Sequence, residues 1–201
     1  MSIESISVLN QGWGICGFAS AIGALYQSGV VRQTIKQAVA RNQLMTRLLA
    51  EIKSYLVTLQ SENSGLIGEI ETFTHTFGPK FASFTVQGYI AKINSIGGVD
   101  PRADDSLFGI AMPPDAVVDY LHRAVGLKRA QLLDGVNQNR TNVIIGLGSG
   151  TGLYHGLKHW VYRQKGGFFR SGKVINYGRK EELSATLKNT GLQIVYQIGG
   201  L

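Results

Sequence analysis

The order in which helical and strand patterns follow one another constrains this fold more than any other feature. Apolar residues recur every three to four positions between residues 31 and 59, which predicts a long amphipathic helix. Other helices are predicted at residues 16–26, 66–77, 113–125 and 128–133. Strand patterns follow at residues 142–147, 160–163, 173–177 and 192–198. Because helices fill the first two thirds and strands the last third, the chain is predicted to be α+β.

Composition indicates one folded domain. The chain has 201 residues, of which 44% are hydrophobic and 16% charged, enough apolar material for a core. We expect a single domain, with a helical subdomain at about residues 12–135 and a sheet subdomain at about residues 140–201. No long apolar run and no basic start followed by an apolar stretch occurs, so we expect no transmembrane segment, no signal peptide and synthesis in the cytoplasm.

The net charge raises the question of a nucleic-acid partner. The 20 Lys and Arg residues against 13 Asp and Glu residues give a formal charge of +7, as phosphate binding would require. The basic residues are strung along one predicted helix and near the C-terminus, without the interleaved aromatic residues of an RNA-reading sheet. We therefore expect a solvated basic surface and no nucleic acid.

Three short motifs suggest cofactor or metal sites, and each lacks a required residue. Residues 146–152 are rich in glycine, but Thr151 stands where a dinucleotide motif needs its third glycine. Residues 167–173 have the spacing of a phosphate loop, but Val174 stands where a hydroxyl should follow. His155 and His159 are four apart without the glutamate of a zinc hydrolase between them. We expect no cofactor and no metal; the glycine-rich stretches are interpreted as a loop and a hairpin turn.

The single cysteine is the strongest candidate for chemistry. With one cysteine the chain cannot form an internal disulfide. Because Cys16 follows a glycine-rich turn, we predict that it is the first residue of a helix, where unpaired N–H groups lower the pKa of a thiol. Gln11 and the Cys16 N–H are predicted to form an oxyanion hole, and Gly17 to let substrate approach the sulfur. The alternative is that Cys16 is a small core residue.

A base and its orienting group are predicted on the later strands. His159 begins one strand and Asn176 ends the next, so a hairpin can make them cross-strand neighbours, with the amide oxygen fixing the imidazole tautomer. Tyr177 is predicted to shield that hydrogen bond. The predicted loop at residues 146–152, with Gly148 and Gly150, leads toward His159 and is expected to be mobile and to gate the cleft.

These segments resemble a known family. Residues 11–19, QGWGICGFA, resemble the glutamine-to-cysteine segment of papain-like cysteine peptidases, and residues 159–161 and 174–176 resemble their histidine and asparagine strands. Residues 113–161 also look like the double-glycine-leader peptidase branch. The resemblance implies a papain-like fold, in which the nucleophile helix packs on a C-terminal antiparallel sheet.

The resemblance also implies an activity. It is that of a hydrolase that cleaves amide or peptide bonds through an acyl-enzyme on Cys16, with His159 as base, Asn176 as its orienting group and Gln11 at the oxyanion. It suggests a bacterial effector or toxin that acts on protein or on peptidoglycan peptides, is exported by a specialised secretion system without a signal peptide, and has a cognate inhibitor or immunity protein. Two alternatives stay open: acyl transfer of the deamidase or transglutaminase type, and a binding domain without catalysis.

Overall fold

The computed structural model describes residues 14–27, 44–95, 109–166, 172–176 and 179–201. The helices in these ranges are α1 (Cys16–Gln27), α2 (Leu44–Ser61), α3 (Leu66–His75), α4 (Val86–Ser95), α5 (Pro114–Tyr120) and α6 (Leu183–Thr190). The strands are β1 (Gln131–Leu132), β2 (Val143–Gly148), β3 (Leu157–Arg163), β4 (Val174–Asn176), β5 (Arg179–Glu181) and β6 (Gln193–Gly199). Five of the six helices precede the long strands, so the α+β prediction is confirmed.

The helical layer forms from residues whose apolar side chains share one face. In α2 the buried residues Leu48, Ile52, Leu56 and Leu59 recur at spacings of three to four, which turns them all toward the core. The predicted helix over residues 31–59 therefore exists in its second half, whereas residues 28–43 lie outside the described ranges. In α1 small residues dominate, and the helix packs closely against β3.

The six strands form one antiparallel sheet in the order β1-β6-β2-β3-β4-β5. The long strands β2 and β3 pair from Val143 opposite Arg163 to Leu147 opposite His159. On the other side of β3, Tyr162 pairs with Ile175 of β4. Strand β6 lies between β1 and β2, so the last strand in sequence order is an inner strand of the sheet.

Each face of the sheet is covered. The helices α1 to α5 pack on one face, together with Ile144, Trp160 and Tyr162. The alternate residues of the same strands, including Ile145 and Val161, face α6 in a second, smaller core. Every residue of β2 is buried, as expected for a strand between two layers.

Some predicted elements differ from the observed ones. The predicted helix over residues 128–133 is wrong: Gln131 and Leu132 form β1, because the edge of β6 offers them a hydrogen-bonding partner. Thus the sheet begins within the predicted helical subdomain, and the predicted sheet subdomain contains α6. None of the helices in the described ranges combines the length and apolar character needed to cross a membrane.

Candidate active site

Cys16 lies at the first position of α1, as predicted. Gly14, with φ of +58°, turns the chain immediately before it, and Ile15 anchors the turn in the core. Gly17 has a packing role that the sequence did not predict. A Cβ atom at Gly17 would lie 3.0 Å from the Met112 side chain, so the glycine permits close packing of α1 on Met112. Its role in the approach of substrate to the sulfur stays a prediction.

The electrostatics of the Cys16 sulfur differ from the predicted ones. Backbone N–H groups of Trp160, Gly17 and Cys16 itself favour the thiolate, in keeping with the helix terminus. Desolvation by burial outweighs them and raises the pKa of the Cys16 thiol to about 11, although the residue as a whole is only half-buried. The expectation of a lowered thiol pKa is therefore wrong, because helix-terminus position is a local signal and burial a tertiary one.

His159 is a buried histidine on β3, with 6% of its surface exposed. Its Nε2 lies 2.9 Å from the Oδ1 of Asn176, so the predicted pairing of these two residues is confirmed. Burial lowers the pKa of His159, while the hydrogen bond with Asn176 opposes this effect. The imidazole is therefore held mainly in its neutral form near neutral pH, which is the form that a general base requires.

The hydrogen bonds of Asn176 assign the tautomer of His159. The Nδ2 group of Asn176 donates to Oε1 of Glu181 over 2.9 Å, which leaves Oδ1 directed at the imidazole. A carbonyl oxygen only accepts, so Nε2 of neutral His159 carries the proton and Nδ1 carries the lone pair. Sequence reasoning missed Glu181, which binds this amide from the neighbouring strand.

The register refines how His159 and Asn176 meet. Because Tyr162 pairs with Ile175, continuing the register sets Asn176 opposite Val161, two residues from His159 and on the same face. The two side chains are therefore diagonal neighbours, within reach of each other but not directly opposite. The predicted contact between His159 and Asn176 is therefore present, but it joins diagonal and not directly opposite positions of the two strands.

Cys16 and His159 line the same cavity. Its volume is about 240 Å³. The sulfur lies beside the N–H of Trp160, the residue after His159. Apolar side chains form most of the remaining wall: Phe73, Phe77, Phe81, Ile110, Met112 and Leu157.

One wall of the cavity is fixed by a buried hydrogen bond. The indole Nε1 of Trp160 donates to the carbonyl of Met112 over 3.0 Å and ties β3 to the segment before α5. Lys158 also lines the cavity, and its Nζ lies 5.2 Å from the centre of the Phe77 ring. Cys16 and His159 thus both border a cavity whose wall is mainly apolar, with one cation beside it.

The glycines predicted to gate the cleft occupy two different settings. Residues 146–148 are part of β2, so the predicted loop is wrong there, and Gly148 is packed against the backbone of His155 and Gly156. Gly150 lies in a turn held by its N–H, which donates to the carbonyl of His155. Neither Gly148 nor Gly150 is among the described residues that line the cavity. Gating by the turn at Gly150 stays a prediction.

Two other residues predicted for the site lie outside the described ranges, and the two histidines of the candidate metal motif do not share a helix. Gln11 and Tyr177 lie outside the described residues. His155 belongs to the short 3-10 turn Leu153–Gly156, before β3, and not to a helix shared with His159. Within the described ranges, no three His, Cys, Asp or Glu side chains cluster as metal ligands would.

Comparison of the chain with protein-family models, with curated proteins and with solved structures finds no match.

Proposed function

We propose that this protein is a papain-like thiol hydrolase that cleaves an amide or peptide bond through an acyl-enzyme on Cys16. The observation that carries the proposal is the contact between His159 Nε2 and Asn176 Oδ1, next to a cavity that His159 and Cys16 both line. This contact leaves the imidazole lone pair on Nδ1, and we propose that this nitrogen takes the proton of the Cys16 thiol.

The proposed reaction begins with a neutral pair. As Cys16 Sγ attacks the substrate carbonyl, its proton passes to Nδ1 of His159, and the carbonyl oxygen becomes an oxyanion. The N–H groups at the start of α1 are suited to that oxyanion, and Gln11 is proposed as the second donor. His159 then returns the proton to the leaving amine, and water attacks the acyl-enzyme with His159 again as base.

The cavity supports a preference for an apolar side chain beside the scissile bond. Phe73, Ile110, Met112 and Leu157 leave few polar groups to compensate a buried charge on the substrate. A volume of about 240 Å³ suits one apolar side chain with part of the peptide backbone. We propose a protein segment or a peptidoglycan peptide as the substrate.

A second candidate, a binding domain without catalysis, is favoured by one observation. A thiol whose pKa is raised to about 11 carries little thiolate at neutral pH. In the proposed mechanism this is tolerated, because His159 removes the proton while the bond forms. The two candidates therefore differ in turnover and not in the resting state of the thiol.

The test uses a peptide mixture and purified peptidoglycan fragments, with products identified by mass spectrometry in ¹⁸O-labelled water. We expect hydrolysis with one ¹⁸O incorporated at each new carboxyl, and its loss in Cys16→Ala and His159→Gln. His155→Asn is the matched control, because His155 is exposed and has φ of +53°, which asparagine tolerates. A mass gain without chain cleavage on glutamine peptides would indicate deamidation. Full turnover by Cys16→Ala would refute the proposal.

A further inference from the structure

The carboxylate of Glu181 is hydrogen-bonded to Asn176, the asparagine of the site. Glu181 Oε1 accepts a hydrogen bond from Asn176 Nδ2 over 2.9 Å and another from Thr186 Oγ1 over 2.5 Å. Thr186 is fully buried on α6, and its hydroxyl donates to the same carboxylate oxygen that accepts from Asn176, so two donors hold Oε1 in place. The hydrogen bonds thus run without interruption from α6 through Glu181 and Asn176 to the imidazole of His159.

The sheet register holds these groups on one face. Val174 pairs with Glu181 and Asn176 pairs with Arg179, so Glu181 is a diagonal neighbour of Asn176. Asn176 is in turn a diagonal neighbour of His159. Three adjacent strands therefore present His159, Asn176 and Glu181 in sequence, on the face that α6 covers.

We propose that Glu181 is a positioning residue for His159: its carboxylate holds the Asn176 amide in one orientation and stabilises positive charge on the imidazole. This proposal rests on the proposed function for its role in catalysis. The first part follows from donor and acceptor chemistry, because a carboxylate accepts only and so excludes the flipped amide. The second follows because a negative charge polarises the amide toward His159, which makes Oδ1 a stronger acceptor.

The elements near His159 carry other ionisable groups, whose effects on its titration must be distinguished from that of Glu181. These groups are Cys16 on α1, Lys158 and Arg163 on β3, Lys173 before β4, Arg179 and Lys180 on β5, and Glu182 and Lys188 at α6. The opposing strand β2 has no ionisable residue. Glu182 supplies a matched control, because it is exposed, carries the same charge and follows Glu181 directly.

The experiment is an NMR titration of the His159 imidazole in the full chain, compared among the unaltered protein, Glu181→Gln and Glu182→Gln. We expect Glu181→Gln to lower the pKa of His159 by about one, which corresponds to about a tenfold weaker affinity for the proton. We also expect the ring to populate both neutral tautomers, because a glutamine amide can present either an acceptor or a donor to Asn176. Glu182→Gln should leave both the titration and the tautomer as they are.

Two outcomes would overturn the inference. One is a His159 titration and tautomer in folded Glu181→Gln that match those of the unaltered protein; the other is an equal shift in Glu182→Gln. If Glu181→Gln does not fold, Glu181→Asp replaces it: the charge remains but the chain is shorter, and a shift in the same direction is expected, whereas no shift overturns the inference. These readouts require no turnover, so loss of the proposed hydrolase activity leaves the assignment of Glu181 testable.

Discussion

The ionisation of Cys16 gives the most direct test of the site. Since Cys16 is the protein's one cysteine, the rate of carbamidomethylation by iodoacetamide reports on this residue alone. With a thiol pKa of about 11, about one molecule in a thousand carries thiolate at pH 8. An ordinary thiol with a pKa of about 8.5 is roughly one quarter ionised at that pH.

The expected slowing follows from these fractions. The ionised fraction falls roughly 200-fold, but a more basic thiolate is intrinsically more nucleophilic, by roughly tenfold for a Brønsted slope of about 0.45. We therefore expect Cys16 in the folded protein to react about twentyfold more slowly at pH 8 than in the same protein unfolded in guanidinium chloride. The rate of the folded protein should rise about tenfold per pH unit up to about pH 10.

The assay is intact-mass spectrometry of quenched samples, which separates the alkylated from the free protein. His159→Ala should show the same slope, because the resting pair is neutral and has no thiolate–imidazolium attraction to lose. A plateau in the folded protein with an apparent pKa below about 8, abolished in His159→Ala, would refute the reasoning and indicate a preformed ion pair.

Three further outcomes follow from the same structure. Because burial lowers the pKa of His159, the base form persists on acidification, so kcat/KM on any identified substrate should hold down to below pH 6.5; an acidic limb above 6.5 would contradict this. Trp160→Phe leaves the buried Met112 carbonyl without its donor and should lower the free energy of unfolding in urea by about 1–3 kcal/mol. Gly148→Ala would place a methyl group 2.7–2.9 Å from backbone atoms of His155 and Gly156 and should cost about 1–3 kcal/mol. A Cβ atom at Gly68, inside α3, would have no atom within 4 Å, so Gly68→Ala should instead raise the free energy of unfolding by up to about 1 kcal/mol. Equal effects of the two alanines would show that packing at Gly148 is not the cause.

Local patterns predicted the features of this fold that depend on neighbouring residues. The start of α1 at Cys16 follows from a glycine turn and small apolar residues, and β3 and β4 follow from β-branched and aromatic runs. The His159–Asn176 contact was within reach of prediction because both residues lie near the ends of strands joined by one turn. Short-range order is thus enough to predict the contact between this histidine and its asparagine partner.

Tertiary packing decided the features that the sequence did not reveal. Residues 146–148 suggest a loop because of their glycines, but Gly146 provides the space that Trp160 and Tyr196 occupy across the sheet. Burial by residues distant in sequence also raises the thiol pKa of Cys16. The position of Cys16 at a helix terminus does not predict this effect. Glu181 was missed because only the register between β4 and β5 shows that it faces Asn176.

The two pKa directions and the Glu181 hydrogen bonds fit one another under the proposed mechanism. Burial disfavours both thiolate and imidazolium in the resting site, so neither Cys16 nor His159 is charged before substrate arrives. Positive charge appears on His159 only when the proton leaves Sγ. At that point the Asn176 carbonyl, polarised by Glu181, stabilises the imidazolium most strongly. An interaction that strengthens only as the bond forms lowers the barrier without tightening the resting state. Loss of Glu181 should accordingly reduce kcat more than it raises KM.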